Sequence, residues 1–344
     1  SLVAAFSAFS YSEMSARYPC SAGEAVYIDE GFKLTALSRF TGLLIALAGM
    51  ISAATICRGF YGYFSTFYQA PELLVILGIV LLLGLLTIWG VTQSVGTAAL
   101  LTLVEIGGLL LIIWAGKEVL GELPSRADSL MPDFDGGVWS GIFLGAFLAF
   151  FAFIGFEDMV NIAEEVKKPQ HTLPSAILLA LLIATLLYAL VAMIAVLSLQ
   201  QDTLSTSNAP LTDILTATSS INPKIISFIS MIAIINGALI QMIMASRILY
   251  GMAKKGWIWH GLANVSSKTR TPVTASWLVI AIILSLALWL PVETLARGTS
   301  YLILCVFALV NAALISIKRK QAPGEGIINI PVWVPVSGLV TSIG

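Results

Sequence analysis

Apolar runs of roughly bilayer-crossing length follow one another along this chain with only short polar breaks. A helix needs about 20 mostly apolar residues to span the hydrocarbon core. By that ruler nine spans fall at 2–16, 37–60, 73–90, 96–116, 138–161, 176–199, 225–252, 273–290 and 300–317, with a tenth beginning at Pro331. In lipid every backbone N–H and C=O needs an internal partner, which leaves only helices and closed barrels. The two-residue alternation of barrel strands is absent, so the fold class is an all-α polytopic membrane protein. Composition agrees: 58% of residues are hydrophobic and 11% charged, against about 45–50% and about 25% in soluble domains.

Lysines and arginines accumulate on the cytoplasmic side of a membrane protein. With loops taken alternately, one set holds Arg17, Lys33, Arg39, Lys167, Lys168, Arg247, Lys254, Lys255, Lys268, Arg270, Lys318, Arg319 and Lys320. The other holds Arg58, Lys117, Arg126, Lys224 and Arg297, a division of 13 against 5 that uses all 18. Loops 17–39, 162–175, 247–272 and 318–330 are therefore expected in the cytoplasm. The longer loops at 117–137, 200–224 and 254–271 hold no Ser/Gly linker or soluble domain, and no internal repeat is visible. Residues 1–344 thus read as one transmembrane domain. The chain opens inside an apolar stretch with no methionine and stops soon after a new run begins, which reads as truncation at both ends.

Several functional classes drop out. A net charge of −1 offers no basic face for nucleic acid. Cys20, Cys57 and Cys305 lie far apart with neither disulfide-framework nor zinc spacing, and His171 and His260 sit in charged loops, so no metal or other cofactor is expected. Neither HExxH, GxSxG nor facing aspartates point to an intramembrane enzyme, and no phosphate-binding loop points to ATP hydrolysis.

The span 138–161 is unlike the others. Gly155 lies two thirds along it, where glycine costs about 1 kcal/mol relative to alanine in a helix. Glu157 and Asp158 follow at once, each costing about 2.5–3.5 kcal/mol at a lipid-exposed helix centre. Two readings fit. Either the span simply ends here, with Glu157, Asp158 and Asn161 at the headgroups, or the helix is discontinuous. In the second reading the first half ends near Phe153, Ile154 to Phe156 unwind, and a second half starts near Glu157. Such a break presents carbonyls suited to an ammonium and amides suited to a carboxylate, and Phe150, Phe151, Phe153 and Phe156 surround it.

The stretch FFAFIGFEDMVNIAEEVKKPQHTLPSAI, residues 150–177, resembles the sixth helix and following loop of the amino acid–polyamine–organocation (APC) superfamily of transporters. SYSEMSARYPCSAGEAVYI, residues 10–28, resembles the end of its second helix and first cytoplasmic loop. NGALIQMIMASRILYGMAKKG, residues 236–256, with TRTPVTA at 269–275, resembles its eighth helix and the loop into the ninth. The resemblance covers essentially the whole chain. It implies a five-plus-five inverted-repeat fold with discontinuous first and sixth helices, of which this chain would run from the second helix to the start of the eleventh and lack the first.

Carried onto these positions, the resemblance implies that the backbone carbonyls of Phe151, Ala152 and Ile154 hold the substrate ammonium beside Phe153, with Gly155 permitting the break and Phe156 gating the pocket. Glu157 falls at the family's acidic position after the break, where capping the second half-helix is its simplest role. Glu164 and Glu165 read as a solvated helix end or as part of a cytoplasmic gate. Glu105, far from any other charge within its span, stands near a coupling position of the fold where many relatives carry lysine. It is expected either to bind and release a driving proton or to be a neutral buried acid hydrogen-bonded to another helix. Asn236 and Gln241 are expected to bridge helices in preference to lining the pathway. Glu13 is expected to be structural, Gly141 and Gly145 form a small-xxx-small pair, and the tryptophans read mainly as interfacial anchors.

The resulting expectation is a plasma-membrane secondary transporter working by alternating access on a small-molecule amino acid, by proton symport or by exchange for a counter-substrate. A transport-silent amino acid sensor or partner-dependent subunit is the alternative. The scarcity of mid-span acids beyond Glu105 and Glu157 favours neutral amino acids, with polyamines left open; oligomeric state is not legible.

Overall fold

The computed structural model describes residues 2–20, 23–90, 95–125, 131–132, 134–321 and 327–343. Arg126 and the side chains of Glu164 and Glu165 lie outside the described residues. The elements are α1 (Leu2–Arg17), α2 (Gly23–Phe32), α3 (Thr35–Phe64), α4 (Glu72–Trp89), α5 (Val95–Ala115), α6 (Lys117–Gly121) and α7 (Gly136–Ala149). After two 3-10 segments come α8 (Pro169–Ser198), α9 (Gln201–Thr206), α10 (Pro210–Thr218), α11 (Lys224–Lys254), α12 (Val273–Trp289), α13 (Val292–Lys320) and α14 (Trp333–Ile343). Among the described residues there is no strand. Six helical stretches among the described residues are long and apolar enough to cross a membrane: α3, α4, Gly136–Asn161, α8, α11 and α13; α12, α14 and Ala99–Ala115 are shorter apolar helices.

Helix limits depart from the apolar runs in a consistent direction. Helix α8 starts at Pro169 and α13 at Val292, seven and eight residues ahead of their runs. Hydropathy marks the part of a helix that lies in lipid, whereas the hydrogen-bond ladder continues through polar turns beyond it, and proline is favoured in a first turn. Where a run does end sharply the chain supplies a stop: Gly90 closes α4 at φ +81°, and its N–H bonds back to Leu86. Asp135 starts α7 by accepting from the Gly137 and Val138 amides at 2.8 and 3.2 Å. Helices α2, α6, α9 and α10 fall in stretches read from sequence as loops, because each is too short and too polar to register as a span.

Among the described residues the core falls into three packed clusters, two of them large. In the first, α3 and α11 run against each other with α4 and α12 alongside, burying Met50, Ala53, Cys57, Val80, Leu83, Met242 and Ile283. Gly84 lets α4 close on Ile280, whose side chain would sit 2.5 Å from an added Cβ. In the second, α1, α2, α3, α8 and α13 surround Tyr11, Tyr27, Phe156 and Phe307. Close approach by small residues, with no water to drive association, is how helices pack in lipid. Gly141 and Gly145 do not serve that purpose, since an added Cβ at either meets nothing within 4 Å. Most of α7 is exposed, and only the turn after it joins the second centre. Trp139, Trp259, Trp277 and Trp289 are exposed, as anchors should be, while Trp257 receives the Arg39 and Lys255 cations on its ring.

Polar pins hold the ends of the helices. Glu13, fully buried, accepts from Arg17 at 2.7 Å, from Lys318 of α13 at 2.6 Å and from the Ile330 amide at 2.8 Å, the structural role expected of it. At the opposite end of the bundle Arg58 of α3 donates to the last carbonyls of the α12 region, Ala287 and Leu290, and pairs with Glu72 of α4.

Candidate binding site at the helix break

The span containing Gly155 is interrupted where its sequence is least helical. Helix α7 ends at Ala149, residues Phe150–Phe153 tighten to a 3-10 turn, and Ile154 turns extended at φ −70°, ψ 136°. Gly155 follows at φ +126°, a conformation that side-chain-bearing residues rarely adopt. The chain resumes as 3-10 turns over Glu157–Glu165. Of the two sequence readings, the discontinuous one therefore describes the backbone, although the second half is 3-10 rather than α-helical.

The interruption frees main-chain acceptors. The Phe151 carbonyl is taken by the Ile154 amide at 3.2 Å, whereas no backbone or side-chain donor among the described residues closes on the carbonyls of Ala152, Phe153 or Ile154. Two of the three carbonyls expected to be offered, those of Ala152 and Ile154, are thus open. Glu157 is buried and reaches back, its Oε2 accepting the Gly155 amide at 2.9 Å. It holds the turn of the break itself rather than the amides further along the 3-10 segment, where no side-chain cap forms.

A cavity of about 150 Å³ lies against the break, lined by Ala152 to Phe156 and Met159 on one wall and by Leu181, Ala184 and Tyr188 of α8 on the other. This volume is below the roughly 300–1,000 Å³ of ordinary ligand pockets and admits only a small ligand. Phe156 closes the side away from α8, its ring 5.8 Å from Tyr11 and 5.4 Å from Phe307. A larger apolar cavity of about 770 Å³ lies between α1, α7, α13 and α14 beside Phe147 and Tyr301.

Helix α11 ties the expected polar residues to this site. Asn236 donates to Glu105 at 2.8 Å, bridging α11 to α5, and Gln241 donates to Asp158 at 2.8 Å, bridging α11 to the turns after the break. Both amides therefore act as helix bridges. Glu105 is half-buried and does not line the cavity at the break. Tyr188, which the sequence reading did not single out, links the two: its ring packs on Phe153 at 5.6 Å while the residue lies within range of the Glu105 charge. The only sequence signal was the single phenol in the apolar run of this helix. Among the described residues no three His, Cys, Asp or Glu side chains are placed to hold a metal ion.

The profile of the family described as amino acid permease matches residues 1–343. The branched-chain amino acid permease BcaP of Bacillus subtilis is 25% identical over 347 residues, an alignment covering 93% of this chain and 72% of that protein. The methylthioribose transporter of the same organism is 25% identical over 361 residues, covering 99% and 76% respectively. A vacuolar cationic amino acid transporter of Arabidopsis thaliana, number 2 in its series, is 28% identical over 349 residues, covering 94% and 54%.

Proposed function

This chain belongs to the amino acid permease family, a family of membrane transporters rather than enzymes, and on that premise we propose that it is a secondary active transporter of small neutral amino acids. The whole chain acts as one transmembrane domain of the plasma membrane, with loops 17–39, 162–175, 247–272 and 318–330 in the cytoplasm. The observation that carries the reading is that Ala152, Phe153 and Ile154, whose carbonyls have no partner among the described residues, line a small, largely apolar cavity. Carbonyls gathered at a helix break attract an ammonium, and Phe153, Met159 and Leu181 suit an apolar side chain. Named relatives carry branched-chain and cationic amino acids and methylthioribose; the uncharged walls favour the neutral class here. Phe156 acts as the gate, and alternating access opens the site to each side in turn.

Glu105 is proposed to carry the proton, with Tyr188 relaying between it and the site. Its bond to Asn236 equally fits a bridge between helices, and one variant separates the two. Glu105→Gln keeps a group that still accepts from Asn236 but cannot ionise. In full-length protein reconstituted in liposomes, a panel of competing amino acids with and without an imposed proton gradient identifies the substrate class. Glu105→Gln should abolish the stimulation by the gradient while exchange of pre-loaded substrate persists. Gradient-driven uptake unchanged in Glu105→Gln removes the proton role and leaves the bridge. No uptake or exchange of any amino acid by the unmodified protein removes the transporter reading in favour of a sensor.

A further inference from the structure

A second cluster of buried acidic and phenolic groups lies beside the break. Helix α2, the short helix joining α1 to α3, seats its first turn on the 3-10 segment after the break. An added Cβ at Gly23 would lie 2.7 Å from Val160. At this contact Tyr11 of α1, Tyr27 and Glu24 of α2, and Asn161 of the 3-10 segment converge. The Tyr11 and Tyr27 hydroxyls, both Glu24 carboxylate oxygens and the Asn161 amide nitrogen are all sealed from solvent, and among the described residues none has a geometric hydrogen-bond partner. Glu24 is 1% exposed and the two tyrosines 0%. Asn161 and the main-chain amide of Glu24 itself stand near its carboxylate.

Among the described residues nothing positive faces this carboxylate. From α1 it meets Tyr11, from its own helix Tyr27 with Cys20 behind it, and from the 3-10 segment Glu157 and Asp158. The cations on the packed elements are engaged elsewhere: Arg17 and Lys318 on Glu13, Lys33 on Glu30, Lys320 on the Gly31 carbonyl and Arg39 on the Trp257 ring. Arg319 is exposed. An ionised carboxylate buried without a cation or a hydrogen bond is not tolerated, and no metal-binding arrangement is present among the described residues. A neutral acid fits instead. Its carbonyl can accept from the Asn161 amide and its O–H can donate to a tyrosine hydroxyl, which satisfies the orphaned groups after small rotations.

We propose that Glu24 is a proton-binding site, and that its occupancy decides whether α2 stays seated on the turns that follow the helix break. With the proton bound, the neutral acid completes a hydrogen-bonded contact between α2 and the 3-10 segment. When the proton leaves to solvent, the carboxylate sits beside Asp158 and Glu157 with nothing to neutralise it, and the stable outcome is for α2 to lift and hydrate it. Burial pushes Glu24 up to about 8, with its own main-chain amide opposing and the Asp158 charge adding. For an acid raised in the seated state the sign is fixed. Seating is fully favoured below the ordinary value of 4.5 and weakens about tenfold per pH unit as pH rises from there to about 8, relative to the lifted state. Above that the loss is complete. The site borrows from the transporter reading only the idea that these turns move during transport.

The test is infrared titration of the purified full-length protein, following the carbonyl stretch of protonated carboxylic acids. The expected result is a band that disappears with a midpoint above the ordinary 4.5 and no higher than about 8, since lifting of α2 stabilises the ionised form; the band is absent in Glu24→Gln and survives in Glu105→Gln. Protease cleavage within α2 should rise with pH in the unmodified protein and become independent of pH in Glu24→Gln. Should Glu24→Gln not fold, Asp158→Asn carries the test, because removing the neighbouring charge must move the midpoint to lower pH. A band that persists unchanged in Glu24→Gln, or a midpoint that Asp158→Asn leaves in place, overturns the proposal. Neither measurement needs a substrate, so a protein that transports nothing still decides this site, and failure here leaves the transporter reading intact.

Discussion

Replacing Gly155 with alanine isolates what the helix break requires. An added Cβ there meets nothing within 4 Å, so no clash opposes the substitution. The obstacle is purely conformational: φ is +126°, outside the regions open to L-residues. Holding such a residue in place costs about 1–3 kcal/mol. The gain from a less flexible unfolded chain, about 0.4–1 kcal/mol, offsets part of that and leaves a net loss of roughly 1–2 kcal/mol, a factor of about 5–30 in the folding equilibrium. The strain is relieved if the segment straightens, which would restore the helical ladder and take the Ala152, Phe153 and Ile154 carbonyls out of use. Gly145→Ala in α7 is the control: it also has open space but lies in a regular helix, where alanine is favoured by up to about 1 kcal/mol. Thermal unfolding in detergent and amino acid uptake in liposomes should both fall in Gly155→Ala and hold or improve in Gly145→Ala. Equal behaviour of the two variants would refute the argument, since it would mean that the backbone at the break needs no glycine.

Two further outcomes follow from packing. Glu13→Gln leaves Arg17 and Lys318 buried without their carboxylate, at 5% and 8% side-chain exposure, and should cost about 3–5 kcal/mol. Adding Lys318→Met should recover part of the loss, and strict additivity of the two melting shifts would show that the pair is not coupled. In Gly62→Ala the new methyl falls 1.7 Å from the Asn208 carbonyl, so the loop must move off α3 at a cost of about 1–3 kcal/mol. Proteolysis around residue 208 should accelerate, whereas Gly59→Ala, with open space, should change nothing.

Much of this molecule was readable in one dimension because the bilayer acts on each segment separately. Crossing hydrocarbon demands a long apolar run whatever its neighbours do, so the spans at 37–60, 73–90 and 273–290 recur as α3, α4 and α12 to within a few residues. The interruption at Gly155 was legible for the same local reason: glycine followed by two acids is a poor continuous helix in any fold. Composition alone, though, left a break and a simple span end equally open, and the resemblance of three separate stretches to one transporter family weighed toward the break.

Sequence by itself therefore determined the helical class, the rough limits of several spans, and the position where one of them would fail. Only the tertiary structure decided which polar groups meet. Glu105 finds Asn236 across 131 positions of chain, Asp158 finds Gln241 across 83, and Glu13 gathers Lys318 from the far end of the molecule. It also decided that Glu24, in the first loop, would be buried with two tyrosines and, among the described residues, no cation. Hydropathy is a property of each segment and its solvent, whereas a hydrogen bond or an unpaired charge belongs to two segments at once, and nothing local in either one specifies the other.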